Sequence, residues 1–460
     1  MPTTSGSGAT DRGSGSGATD PGALRPGPGR PATPAEAPAP APRTGYGAVF
    51  AVREFRTVFA AHLISMLGEM AGGVALSVLV YRLTGSPLLS ALTFATALLP
   101  YVIGGTLLSS VADRYPARRV LVVCDLVHAG CVAAMTVPGM PVAVLLALRC
   151  VPAAISPVFS GTRSATLGDI VGGGDLFVLG RSVIRITAQS AQLGGFAAGG
   201  LLLAAVSPRA VLAITAAALC CSALLLRFGT RHRPARHTAG AAGGALLGDS
   251  LRGVRRLFAD RRVRALMLLS WVPPMFVVMP EALLTPYADA QGLDSVGLGL
   301  LMCGLPVGAV VSEVLAGSLL GPRGRARLTL PVGVLAALPA LGYACDPSFG
   351  WALALQVVTG CGVAYSLGLD QWFLAAVEEE LRGRAMTVLT AGLMTAQGLG
   401  MAVAGAVAEF VPVHVVAASA GGCGALCSLL VALEVRRTVG RGRGGSGVAG
   451  SRGETGLTAI

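Results

Sequence analysis

FRTVFAAHLISMLGEMAGGVALSVLVY, residues 55–81, decides the fold. Arg56 stands at its start, and Glu69 is the one carboxylate inside it. A helix crosses a bilayer in about 20 apolar residues, so this run is long enough to span. Eleven more runs of this kind follow, at 88–112, 119–137, 141–167, 183–206, 209–228, 264–288, 295–320, 327–344, 349–377, 385–411 and 413–435. In lipid only helices and closed barrels satisfy their own backbone hydrogen bonds. The reading is an all-α membrane protein of twelve transmembrane helices.

Composition agrees. The apolar fraction is 53% and the charged fraction 13% of 460 residues, against about 25% charged in soluble domains. Every one of the 35 basic residues is arginine. The net charge of +12 suggests nucleic acid until the arginines are placed. They cluster in alternate loops and in the tails, as membrane topology requires. One side holds Arg53, Arg56, Arg114, Arg118, Arg119, Arg181, Arg185, the segment from Arg227 to Arg264, Arg323, Arg325, Arg327, Arg382, Arg384, Arg436 and Arg437. The other side holds little beyond Arg82 and Arg209. This places both termini and the central segment in the cytoplasm of a multi-pass protein of the cell membrane, with no nucleic-acid partner.

The domain reading is a disordered tail at 1–52, a six-helix bundle at 53–228, a cytoplasmic linker at 229–263, a second six-helix bundle at 264–436 and a disordered tail at 437–460. The first tail repeats SGSGATD at Ser5–Asp11 and Ser14–Asp20 and then turns Pro-Ala rich, a composition that cannot bury a core. It lacks the apolar stretch of a signal peptide. The bundles echo one another: Arg56 and Arg264, Ser86 and Ser295, Leu99-Pro100 and Leu305-Pro306, Arg118-Arg119 and Arg325 with Arg327. Their separations all lie near 206 to 209 residues. A duplicated unit giving two pseudo-symmetric bundles accounts for this, with substrate held between them near the midplane.

The loop Ala112-Asp113-Arg114-Tyr115-Pro116-Ala117-Arg118-Arg119 resembles the signature loop of the major facilitator superfamily. Phe55-Arg56, Leu67-Gly68-Glu69, Tyr81-Arg82-Leu83-Thr84-Gly85-Ser86-Pro87, Arg163-Ser164-Ala165 and Leu381-Arg382-Gly383-Arg384-Ala385-Met386 resemble its drug-efflux-like branch, which contains macrolide and siderophore exporters. The resemblance covers residues 53 to 436. It implies that Asp113, Arg114, Arg118 and Arg119 latch the two halves when the cytoplasmic side is closed. It also implies that Arg149 is the buried arginine of the fourth span. Two departures stand out. Ser109 and Ser110 occupy the region where the signature loop carries a glycine. The antiporter-associated span-5 motif reads Gly195-Phe196-Ala197-Ala198-Gly199-Gly200, without its proline. The glycines that permit close helix contact remain.

Ionisable groups inside spans are costly and therefore functional candidates. Glu69 lies about 21 Å into the first span at 1.5 Å per residue, and burial would raise its affinity for a proton. It reads either as a proton carrier or as a packing carboxyl. Arg149 pairs with Glu69 or Asp125, or else snorkels to an interface. Asp125 reads more as a structural partner than as a coupling group. Glu313 and Asp370 are the candidates of the second half. Glu281 sits toward the outer end of span 7, and Glu409 and Glu434 lie at span ends. Cys124, Asp125 and His128 share a helix, but no further ligands complete a metal site. Pro273-Pro274, with Pro280 beyond, should break span 7 near its outer end.

The functional expectation is a proton-coupled secondary transporter that exports a small amphipathic compound, as a monomer in the bilayer. No cofactor is expected; the proton gradient is the energy source. An importer or facilitator on the same fold, or a non-transporting membrane scaffold, are the alternatives. A chain without lysine cannot form a GxxxxGK[ST] phosphate loop, and there is no HExxH helix or nucleophile elbow. ATP-driven pumping and intramembrane hydrolysis are therefore not expected.

Overall fold

Short punctuation signals cut the apolar chain into helices. Gly85 adopts a left-handed conformation (φ 66°) and donates its N–H to the Tyr81 carbonyl, closing α2 (Arg53–Thr84). Ser86 then caps α3 (Pro87–Leu98), accepting from the Leu89 N–H at 3.1 Å, with Pro87 in the first turn. Leu99 and Pro100 separate α3 from α4 (Tyr101–Leu107). Pro116 leads into α5 (Ala117–Met135), and α6 (Val142–Val171) and α7 (Asp175–Ala205) follow. Ser207 and Pro208 repeat the Ser-Pro start for α8 (Pro208–Gly229). The computed structural model describes residues 46–107, 115–171, 175–231 and 255–444. Among these there is no strand.

The second half opens with Asp260, whose carboxylate accepts from the Arg262 and Val263 N–H groups to start α9 (Arg261–Ala282). α10 (Leu284–Ala290), α11 (Ser295–Leu319), α12 (Pro322–Leu335), α13 (Phe349–Cys361), α14 (Tyr365–Ala376), α15 (Arg382–Ala408) and α16 (Val413–Gly444) complete it. Short 3-10 turns lie at Leu338–Cys345 and Gly362–Ala364. Ten stretches are long and apolar enough to cross a membrane. The other two expected spans, α5 and α7, are also helical. α5 carries Arg118, Arg119 and Asp125, and α7 is diluted by Gln189, Gln192 and its glycines.

Two boundaries move. A six-residue helix, α1 (Tyr46–Ala51), stands inside the stretch read as a tail, and Val49 is buried beside Phe55. At the other end α16 continues past residue 437 to Gly444. The remaining tail residues and most of the central linker lie outside the described residues. The break expected at Pro273-Pro274 does not occur. α9 runs through all three prolines and is interrupted only at Leu283. Proline at 273 removes the donor that the Leu269 carbonyl would use. The buried Tyr365 hydroxyl supplies one instead, at 3.3 Å.

Within each half the helices pack side by side. α2 rests on α7 and α8, and α5 rests on α6 and α8. α9 rests on α15 and α16, and α11 on α13. The halves meet along two seams, α3 with α15 and α7 with α11. We call the end where α2 begins and α16 finishes the terminal face, and the other end the distal face. Buried clusters at the terminal face draw on one half each. Those that mix the halves lie toward the distal face. In one, Ala91 and Ala95 meet Val278, Ala282 and Met401. In the other, Ala71 to Val80 share a core with Leu284 to Cys303. Among the described residues, the halves are thus sealed distally.

Candidate functional site: the charged seam between the halves

Small residues make the distal seal possible. A Cβ on Gly200 would fall 2.8 Å from the Gly299 Cα, so α7 and α11 touch backbone to backbone. Gly199 approaches Ala71 of α2, and Gly195 approaches Met70. The glycines expected to allow close contact therefore serve two partners: 195 and 199 within their own half, 200 across the seam. Deeper in, the Cys303 thiol donates to the Leu193 carbonyl at 3.5 Å. On the other seam, Gly398 and Gly405 of α15 lie against Leu99 and Ala91 of α3.

Polar groups tie the same face together. The Ser77 hydroxyl of α2 bonds Thr285 of α10 at 2.8 Å and Ser90 of α3 at 2.9 Å. At the rim, Glu409 accepts from the Ser86 hydroxyl and from the Leu88 N–H at 3.0 Å. A carboxylate of the second half thereby caps a helix of the first. These two bonds hold its carboxyl below the usual carboxylate range.

The first half carries a line of charges on the near side of this seal. Glu69 Oε1 lies 3.7 Å from Arg149 Nη2, pairing α2 with α6. The arginine side chain is 10% exposed and the glutamate 36%. Arg149 Nε is buried without a hydrogen bond, as is Nε2 of His128. Asp125 of α5 is buried and accepts from the Ser222 hydroxyl of α8 at 2.6 Å. Arg163 of α6 donates to His62 Nδ1 at 2.6 Å and stacks on Phe159. It lies within electrostatic reach of both Asp125 and Glu69. Glu69 with Arg149, Asp125 with Ser222 and Arg163 with His62 make this a patch of three polar pairs in the first half.

The other expected residues are more scattered. Glu313 is half-buried on α11 and makes no hydrogen bond or ion pair among the described residues. Asp370 is half-buried on α14. Neither joins the Glu69 patch. Asp113 and Arg114 lie outside the described residues. Arg118 donates to the Thr230 carbonyl at 3.3 Å, and Arg119 stacks on Tyr115 at 5.9 Å. Both contacts stay within the first half, in keeping with a terminal face where the halves keep separate cores. His62 and Arg163 are the members that the sequence did not mark as partners. His62 stands seven residues before Glu69, two helical turns away on the same face, which is the signal that would have found it.

The architecture has known relatives. The family model described as Major Facilitator Superfamily matches residues 58–371. The multidrug efflux pump Tap of Mycolicibacterium fortuitum is 25% identical over 362 residues, covering 74% of this chain and 86% of Tap. Among solved structures, the nucleoside transporter NupG aligns with a TM-score of 0.63 at 16% identity, over 83% of this chain and 99% of that one. A POT family transporter in complex with a thioalcohol conjugated peptide aligns with a TM-score of 0.64 at 11% identity, over 84% and 96%. At such identities these two speak for the fold alone. Two helical halves joined along glycine-lined seams, and a family match over most of the chain, lead to one assignment: this chain belongs to the Major Facilitator Superfamily.

Proposed function

We propose that this transporter exports a small amphipathic compound from the cell, driven by the proton gradient, with both termini in the cytoplasm. The observation that carries the reading is the Glu69–Arg149 pair, half-open on the first half of the chain and just below the distal seal. A charge pair at this depth is costly to keep. It serves a purpose if the charge of one partner is removed in part of the cycle. A proton on Glu69 cancels the attraction and leaves Arg149, already short of a partner at Nε, to seek another acceptor. Loss of the proton restores the pair. Two states of one pair can bias two arrangements of the halves. The arginine cluster at the terminal face favours the cytoplasm for that end. The relationship to an efflux pump, Tap, favours outward transport.

The test is efflux of a fluorescent dye from an efflux-deficient bacterial host. Cells carrying the unaltered chain should lose preloaded dye faster than cells without it, and a protonophore should remove the difference. Glu69→Gln should abolish gradient-driven efflux while the protein still inserts in the membrane. Efflux that persists unchanged in Glu69→Gln rejects the proposed coupling.

A further inference from the structure

α5 has two unlike faces. Leu121, Asp125, Ala129 and Val132 recur at helical spacing and are buried, and the helix packs on α6 and α8. Val123 and Val127 stand two residues before and after Asp125, on the opposite side of the helix, and both are exposed. On α6, Val158 stands nine residues after Arg149, half a turn round the helix from it. The faces turned away from Asp125 and Arg149 enclose a groove of about 360 Å³. Val120, Val123, Cys124 and Val127 line it from α5, and Ile155 and Val158 from α6. Both helices pack on members of the first half.

One end of the groove differs from the rest. Tyr115 and Arg119 stand there, at the terminal face, and both are exposed. The Arg119 guanidinium lies 5.9 Å from the centre of the Tyr115 ring. Its side chain makes no ion pair or hydrogen bond among the described residues. The other walls are apolar, so water in the groove would find few hydrogen-bond partners. From Arg119 to Val127 the helix rises about 12 Å at 1.5 Å per residue. That is most of the ~15 Å of hydrocarbon in one leaflet, half of a core of ~30 Å. An unpaired cation beside a phenol ring, at the head of an apolar slot one leaflet deep, matches a lipid with an anionic headgroup.

We propose that the groove between α5 and α6 binds an anionic phospholipid, with Arg119 and Tyr115 at its phosphate and one acyl chain laid along Val123 and Val127. Arg119 thereby takes a task other than the latch that the signature loop implies. The inference rests on the terminal face lying at one surface of the membrane. It does not rest on efflux or on proton coupling at Glu69.

The experiment uses the full chain in phosphatidylcholine nanodiscs, with phosphatidylglycerol that carries a diazirine in one acyl chain as the probe. Illumination should label the peptides that contain Val123 to Val127 and Ile155 to Val158. Unlabelled phosphatidylglycerol should displace the probe from them about ten-fold more effectively than phosphatidylcholine. Arg119→Gln should remove that headgroup preference. Val123→Trp, which fills the groove, should abolish labelling there whatever the headgroup. Labelling at Leu426 and Leu430, exposed on α16, should be the same in all three proteins and shows that each variant is folded in the bilayer. Groove labelling no stronger than that at Leu426 and Leu430, equal displacement by the two lipids, or a headgroup preference that survives Arg119→Gln would each overturn the proposal. No labelling of the groove at all would overturn it too, and would mean that protein, this chain or a second copy, covers the face. Loss of efflux in Glu69→Gln, or its persistence, leaves the lipid result standing.

Discussion

Ser77 and Thr285 share a hydrogen bond of 2.8 Å although 208 residues separate them. The two halves thus touch through side-chain hydroxyls at the distal face. Both side chains are buried, so a hydroxyl that loses this partner has no water to replace it. Ser77→Ala and Thr285→Val should each lower stability by about 1 kcal/mol. The double variant should cost less than the sum, with a coupling of about 0.5 kcal/mol or more. Thermal unfolding of the four proteins in one detergent measures it. Strict additivity would mean that the contact does not hold the halves together.

Gly200 and Gly299 leave no room for a side chain between α7 and α11. Gly200→Leu should disfavour the distally sealed arrangement by about 1–3 kcal/mol, the usual cost of overfilling a packed contact. Positions near Leu293 and Phe349 should then become more accessible to a water-soluble label from the distal side. Unchanged accessibility would show that the seam closes some other way.

The two acids of the first half, Glu69 and Asp125, should separate by the effects of mutating their partners. Arg149→Ala should reduce gradient-driven efflux about ten-fold or more, and Arg149→Lys should restore little of it, because an ammonium lacks the guanidinium fork. Ser222→Ala removes the donor to Asp125 and should cost about 1.5–3 kcal/mol of stability, with efflux per folded molecule nearly intact. Initial efflux rates normalised to folded protein decide the matter. The reverse pattern would assign coupling to Asp125.

Much of this was readable in advance. Ser86-Pro87 and Ser207-Pro208 announce helix starts, Gly85 announces a stop, and each long helix overlaps an expected span. The α9 prolines misled because proline predicts a lost donor, not the tyrosine 96 residues away that replaces it. Partnerships across the halves were the least visible. Glu409 looked like an ordinary span-end carboxylate, and its role comes from Ser86 and Leu88, more than 300 residues earlier. The Glu69–Arg149 pair was anticipated because charges are rare in lipid. His62 and Ser222 were not, because a buried histidine or serine in an apolar helix has many uses.

Glu409 gives the distal rim a pH dependence. Hydrogen bonds from Ser86 and Leu88 lower its pKa in the folded protein. Its contribution is therefore fully present above the ordinary carboxylate value of about 4.3 and fades as pH falls through the lowered value. The group is exposed, so solvent screening keeps the effect small. The difference in thermal transition between the unaltered chain and Glu409→Gln should stay level from about pH 5 to 8 and shrink as pH falls below the ordinary carboxylate value and through the lowered one. A difference that does not shrink at any pH below the ordinary carboxylate value would rule out an ionised cap.

The central claim is that the halves rock, so that the distal face opens as the terminal face closes. Leu83 and Phe410 are exposed at the distal face, and Phe228 and Leu319 at the terminal face. Spin labels on these two pairs, in a variant whose ten native cysteines are replaced, report both openings by double electron–electron resonance. On a change of pH or addition of a transported compound, the account predicts that the 83–410 distance lengthens while the 228–319 distance shortens. Two distances that stay fixed, or that lengthen together, while transport proceeds would contradict it.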